Sequence, residues 1–147
     1  MSYSKIFIED YLNGSKTIVL ATVDEESRPV VRTLGGFAAK GFVTFFATAK
    51  GSDKVKHIEK NANVSLLFQH ENQEISKFLN ISVKGLAEVI SDEKEFEDIH
   101  KQLLNRNPRL KAVTKETHNI YKVSAKEITI LDFSKKSLEE RKNIINL

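Results

Sequence analysis

The chain has 147 residues, with 23 basic and 20 acidic side chains and a formal net charge of +3. That balance, with no long basic run, argues against nucleic acid as the partner. The absence of cysteine excludes a disulfide framework, a thiolate zinc site and a cysteine nucleophile. The length suits one domain over residues 1–147 with an ordinary buried core. The N-terminal stretch M-S-Y-S-K-I-F-I-E-D-Y-L carries acids early and no long apolar run. A cytoplasmic protein without leader or membrane span is the resulting expectation.

In chain order, Ser4 is placed to cap a first helix. Phe7, Ile8, Tyr11 and Leu12 fall at helical spacing, and Asn13-Gly14 ends it. Thr17–Val23 is rich in β-formers, Asp24–Arg28 is a polar turn and Pro29–Thr33 resumes an extended chain. Together they predict a hairpin, with proline at a strand start. Gly35-Gly36 then interrupts the second strand. Paired glycines there mean either a bend that lets a sheet curl or close approach of backbone to a ligand.

Phe42–Ala47 reads as a strand apolar on both faces. Gly51–Lys60 reads as a helix with Val55, Ile58 and Ala62 on one side. Asn63–Gln69 is the next strand, Glu71–Lys77 a polar loop and Phe78–Ile90 a long strand with a bulge at Gly85. Asp92 and Glu95 pair as caps of a helix over Glu93–Leu104, which Asn105–Pro108 breaks. Asn119–Phe133 returns to strand pattern, and Ser137 with Glu140 marks a last short helix. Hairpin-type strands outnumber the helices between them. The fold class is therefore α+β, mainly β: a mostly antiparallel, six-stranded, Greek-key-like barrel with flanking helices.

The chemistry-bearing candidates are few. A helix beginning near Gly51 presents unpaired N–H groups and partial positive charge to whatever lies before it. Ser52 and Lys54 sit in that first turn, where a hydroxyl and an ammonium can meet a phosphate. Simple capping by Ser52 or Asp53 explains the same residues, and Asp53 brings a like charge to any anion. Arg32, ahead of Thr33-Leu34-Gly35-Gly36, either lies on the outer face of a barrel strand or reaches a phosphate with its planar fork.

The four histidines, His57, His70, His100 and His118, share no metal-binding spacing. Nucleophile-elbow, P-loop and dinucleotide fingerprints are absent. Lys40–Phe45, K-G-F-V-T-F, echoes an RNA-recognition signature. It is two positions short, which breaks the alternation that would put two aromatics on one face.

Four segments carry a family resemblance: the hairpin I-V-L-A-T-V-D…R-P-V-V-R-T-L, the strand F-F-A-T, the unit G-S-x-K-V-x-x-I-E-x-N-x-x-V-S-L-L-F and the later V-K-G-x-A-E-V. From Thr17 to Val89, and more loosely over Ile120–Phe133, the chain resembles the pyridoxamine 5′-phosphate oxidase-like, FMN-binding split-barrel family. The resemblance implies a split β-barrel homodimer with FMN at the subunit interface. It implies a flavin ring against backbone of Arg32, Thr33, Leu34 and Gly35 and of Ala47 and Thr48. Arg32, Ser52 and Lys54 would meet the phosphate, and Asn80 would approach the ring from the partner subunit.

The chain also departs from the family. Phe37 stands where the true oxidases hold substrate with a lysine, and Asp53 replaces a second basic residue. The C-terminal arginine- and histidine-bearing motif and its tryptophan are missing. Vitamin B6 oxidation is therefore not expected, and the chain looks more like short, general-stress-type members. The resulting expectation is an FMN-dependent oxidoreductase of unassigned substrate. The alternative is a non-catalytic module for flavin, deazaflavin or haem, with His70 as the one hint of haem.

Overall fold

Ser4 accepts a hydrogen bond from the Phe7 amide at 3.0 Å and starts helix α1, Lys5–Asn13. The helix ends where the Gly14 amide bonds back to Asp10 O, and it buries Ile8, Tyr11 and Leu12. The structure, a computed structural model, describes residues 3–147; Met1 and Ser2 of the N-terminal stretch lie outside them.

Strands β1 (Ile18–Val23), β2 (Pro29–Leu34), β3 (Phe37–Lys40) and β4 (Val43–Ala49) come next. Helix α2 (Asp53–Lys60) follows, then β5 (Asn63–Gln69) and β6 (Leu79–Val89). Helix α3 (Glu93–Arg106), strand β7 (His118–Asp132), helix α4 (Leu138–Arg141) and strand β8 (Lys142–Asn146) complete the order. The side chains of Asp92 and Ser137 accept from the amides of Glu95 and Glu140, so both expected capping pairs form.

The strands make one curled antiparallel sheet in the order β2-β1-β5-β6-β7-β4-β3, with β8 on a free length of β7. It is the split half-barrel expected of an α+β chain. It has eight strands among the described residues rather than six. The two extra strands are short: β3 is Phe-Ala-Ala-Lys, whose alanines carry little β-preference, and β8 follows the α4 capping box with no turn signal between them.

Register sorts the side chains onto two faces. Leu20, Leu66, Val83 and Ile128 lie in one cross-strand row, and all four are buried in the main core with α1 and the inner side of α2. In β4, Phe46 joins that core, while Phe45 turns outward under Phe96, Ile99 and Leu103 of α3. This is why β4 is apolar on both faces. The outer face of β1, β2 and β5 differs: Val31 is 66% exposed, and Val19 and Leu67 are half-buried.

Gly85 marks an irregularity, but the extra residue is on the neighbouring strand. Lys84 pairs with Glu127 and Gly85 with Ala125, so Lys126 of β7 is the unpaired one. A Cβ on Gly85 would sit 2.3 Å from Ser124 O, and that contact is backbone. Gly85→Ala should therefore destabilise the fold by about 1–3 kcal/mol, read as a lower urea midpoint at unchanged slope.

Candidate functional site

Arg32 is the first residue of the candidate site. On β2 it stands opposite Leu20 of β1, and so it belongs to the inward-facing row, not to the outer surface. Arginine in an apolar row is costly unless its donors find acceptors. Its Nη1 donates to Thr22 Oγ1 at 2.7 Å, Val30 O at 3.2 Å and Leu20 O at 3.3 Å. Thr22, itself buried, lies 2.8 Å from His57 Nδ1, which is 3.5 Å from Arg32 Nη2.

Helix α2 brings the second cation. Ser52 has N-cap geometry, yet its hydroxyl makes no capping bond; it lies 3.0 Å from Thr48 Oγ1 at the end of β4. The N–H groups of the first turn are thus left without a side-chain cap. Lys54, one position further into the helix than Asp53, is half-buried. Burial lowers its pKa first, the nearby Arg32 lowers it further, and Asp53 opposes both. Arg32 is likewise lowered by burial and opposed by Asp53. Among the described residues neither cation joins an ion pair. Two partly desolvated like charges beside a helix N-terminus without a side-chain cap make local positive potential that favours an anion.

The remaining expected residues divide. Ala47 N bonds Gly36 O at 3.2 Å, so the backbone after β2 and that of Ala47-Thr48 lie side by side. Leu34 is buried in the core, while Thr33 and Gly35 are exposed. Asn80, paired with Gln69 and Leu131, lies on the outer face of β6, opposite in parity to the buried Ile81 and Val83. The structure does not bring it to Arg32 within one chain.

Phe37 points into the core, 5.8 Å from the Phe68 ring and with the Arg106 guanidinium 4.8 Å over its own. His70 stacks on Tyr11 at 3.7 Å with Nε2 2.8 Å from Tyr11 O, so its ring is part of the α1 packing. Thr22 was not singled out by sequence, and His57 was considered only as a metal ligand and set aside. Their signals were present but faint: a hydroxyl in the inward row of an apolar strand, and a histidine one turn beyond Lys54.

Residues 5–132 match the family model described as pyridoxamine 5′-phosphate oxidase. The chain belongs to that family. No curated protein sequence matched significantly.

Among solved structures, one neighbour is a Clostridium acetobutylicum protein related to general stress protein 26 of Bacillus subtilis, of the pyridoxinephosphate oxidase family. Its sequence identity to this chain is 15% and the TM-score 0.69, with 97% of this chain and 94% of that one covered. The haem storage protein HutZ of Vibrio cholerae gives 17% identity and TM-score 0.66 over 80% and 87% of the two chains. A haem-binding protein of Mycobacterium smegmatis gives 10% identity and TM-score 0.82; this chain is 99% covered but spans 59% of that one. At such identities these neighbours share the fold.

An anion at this site should hold Lys54 protonated. Millimolar phosphate should raise the melting temperature of the wild type and not that of Lys54→Ala. Raising the pH deprotonates Lys54 and releases the anion. Because Lys54 lies below the ordinary 10.5, the stabilisation should fade at lower pH than an exposed lysine would give.

Proposed function

We propose that this family member binds FMN as a homodimer and works as a flavin-dependent oxidoreductase that is not a pyridoxamine phosphate oxidase. The observation that carries the reading is the Arg32–Lys54 pair at the start of α2, half-buried and, among the described residues, in no ion pair. A phosphomonoester dianion fits this need: it offers several acceptor oxygens and up to two negative charges.

A bound flavin supplies the redox chemistry through its ring, which removes the need for a catalytic acid or nucleophile on the chain. The residues then have simple tasks. Arg32 presents its fork, Lys54 a point charge, and Ser52 a hydroxyl to the phosphate. Backbone of Arg32–Gly35 and Ala47-Thr48 lines the ring. Asn80, on the outer face, acts on the site of the other subunit. The exposed Val31 with Val19 and Leu67 beside it supplies apolar surface for the dimer contact.

Haem-binding neighbours raise a second ligand, but His70 is committed to Tyr11 rather than free as an axial ligand. Phe37, buried in the core, stands where true oxidases hold substrate with a lysine.

The purified protein reconstituted with FMN should show flavin absorption bands. Arg32→Ala and Lys54→Ala should each raise the FMN dissociation constant while the fold persists. A charge-assisted contact is worth about 1.5–3 kcal/mol, or roughly ten- to hundred-fold in affinity. Unchanged affinity in both variants, or a Soret band in place of flavin bands, contradicts the reading.

A further inference from the structure

Arg32 is held in an unusual way for a phosphate ligand. Its three closest acceptors, Thr22 Oγ1, Val30 O and Leu20 O, all take from Nη1, and His57 Nδ1 lies near Nη2. Among the described residues Nε–H has no acceptor. Nε and Nη2 form the side of the guanidinium that matches two oxygens of one phosphate. One end of the group is therefore anchored and the bidentate edge is left open.

The hydrogen-bond directions follow from the donors available. Arg32 has only donors, so Thr22 Oγ1 accepts from it. The Thr22 O–H is then free to donate to His57 Nδ1, 2.8 Å away. A guanidinium near the same nitrogen also favours Nδ1 as acceptor, which places the imidazole proton on Nε2.

Asp53 gives the anchor its purpose. Its carboxylate lies near enough to act on both Arg32 and Lys54, yet forms an ion pair with neither. A mobile guanidinium repelled by Lys54 would turn to Asp53, and the phosphate would then have to displace an internal carboxylate.

We propose that Thr22 and His57 are positioning residues: they brace Arg32 away from Asp53 and hold its Nε–Nη2 edge toward a phosphate, so that the site selects phosphorylated flavin over riboflavin. This inference rests on the FMN reading for its ligand and on the Arg32 contacts for its geometry. It needs no direct contact between Thr22 or His57 and the ligand.

Titration of wild type and variants with FMN, riboflavin and inorganic phosphate tests it, with thermal melts confirming the fold. Thr22→Val should weaken FMN and phosphate roughly tenfold, the worth of about one charge-assisted hydrogen bond, and leave riboflavin affinity unchanged. Thr22→Ser should bind as wild type. Asp53→Asn should raise FMN affinity more in the Thr22→Val background than in the wild type, because only there is the carboxylate competing for a freed Arg32; a merely structural role for Thr22 predicts equal gains in the two backgrounds.

Should Thr22→Val fail to fold, His57→Leu at the half-buried end of the brace should give a loss of several-fold in FMN and none in riboflavin. Thr22→Val with wild-type FMN affinity overturns the brace. So does an equal loss of FMN and riboflavin, or an Asp53→Asn gain no larger in Thr22→Val than in the wild type. If the wild type binds phosphate but neither flavin, the FMN reading fails and the phosphate series alone decides the brace. If it binds none of the three, both fall.

Discussion

The proposed site depends on an arginine that the sheet turns inward. Arg32 occupies a row whose other members, Leu20, Leu66 and Val83, are core residues. A guanidinium in that row must be satisfied or expelled. Strand β1 satisfies it with Thr22 and a carbonyl, and β2 with a second carbonyl from its own turn of chain. Helix α2 then sets Lys54 beside it. The result is local positive charge in partly dry surroundings, where an anion gains more than it would in bulk water.

The half-barrel makes that meeting possible. β1 and β4 are far apart in the strand order, yet α2 packs on both because the sheet curls around it. The two glycines after β2 let the chain turn into β3, and the Gly36–Ala47 contact fixes the β2 exit against β4. Gly36 has little room for anything larger, since a Cβ there would lie 3.0 Å from Leu110. Bend and ligand approach, the two readings of Gly35-Gly36, are thus compatible: the bend is what brings backbone from two strands together.

Much of this was legible in the sequence. α1, α2, α3 and the long strands announce themselves through periodicity, capping pairs and β-rich runs, because local preference and burial agree there. The placement of Ser52 and Lys54 in the first turn of α2 was legible for the same reason: helix termini have recognisable signals. Three things were not. The inward placement of Arg32 depends on register with Leu20, a tertiary fact. The bulge was signalled by Gly85 but falls on Lys126 across the ladder, since glycine yields room to whichever strand is irregular. Thr22 and His57 are separated by 35 positions and meet only after folding, and nothing local announces a bridge between them.

The family membership narrows the chemistry, and the departures at Phe37 and Asp53 are the grounds on which the proposed reading sets this chain apart from vitamin B6 oxidation. The most direct measurement of the central claim is a crystal structure of the protein grown with FMN. The phosphate is predicted within hydrogen-bond distance of Arg32 Nε and Nη2, Lys54 Nζ and the Ser52 hydroxyl, with Thr22 still bonded to Nη1. A flavin whose phosphate lies elsewhere, with Arg32 paired to Asp53, would contradict it.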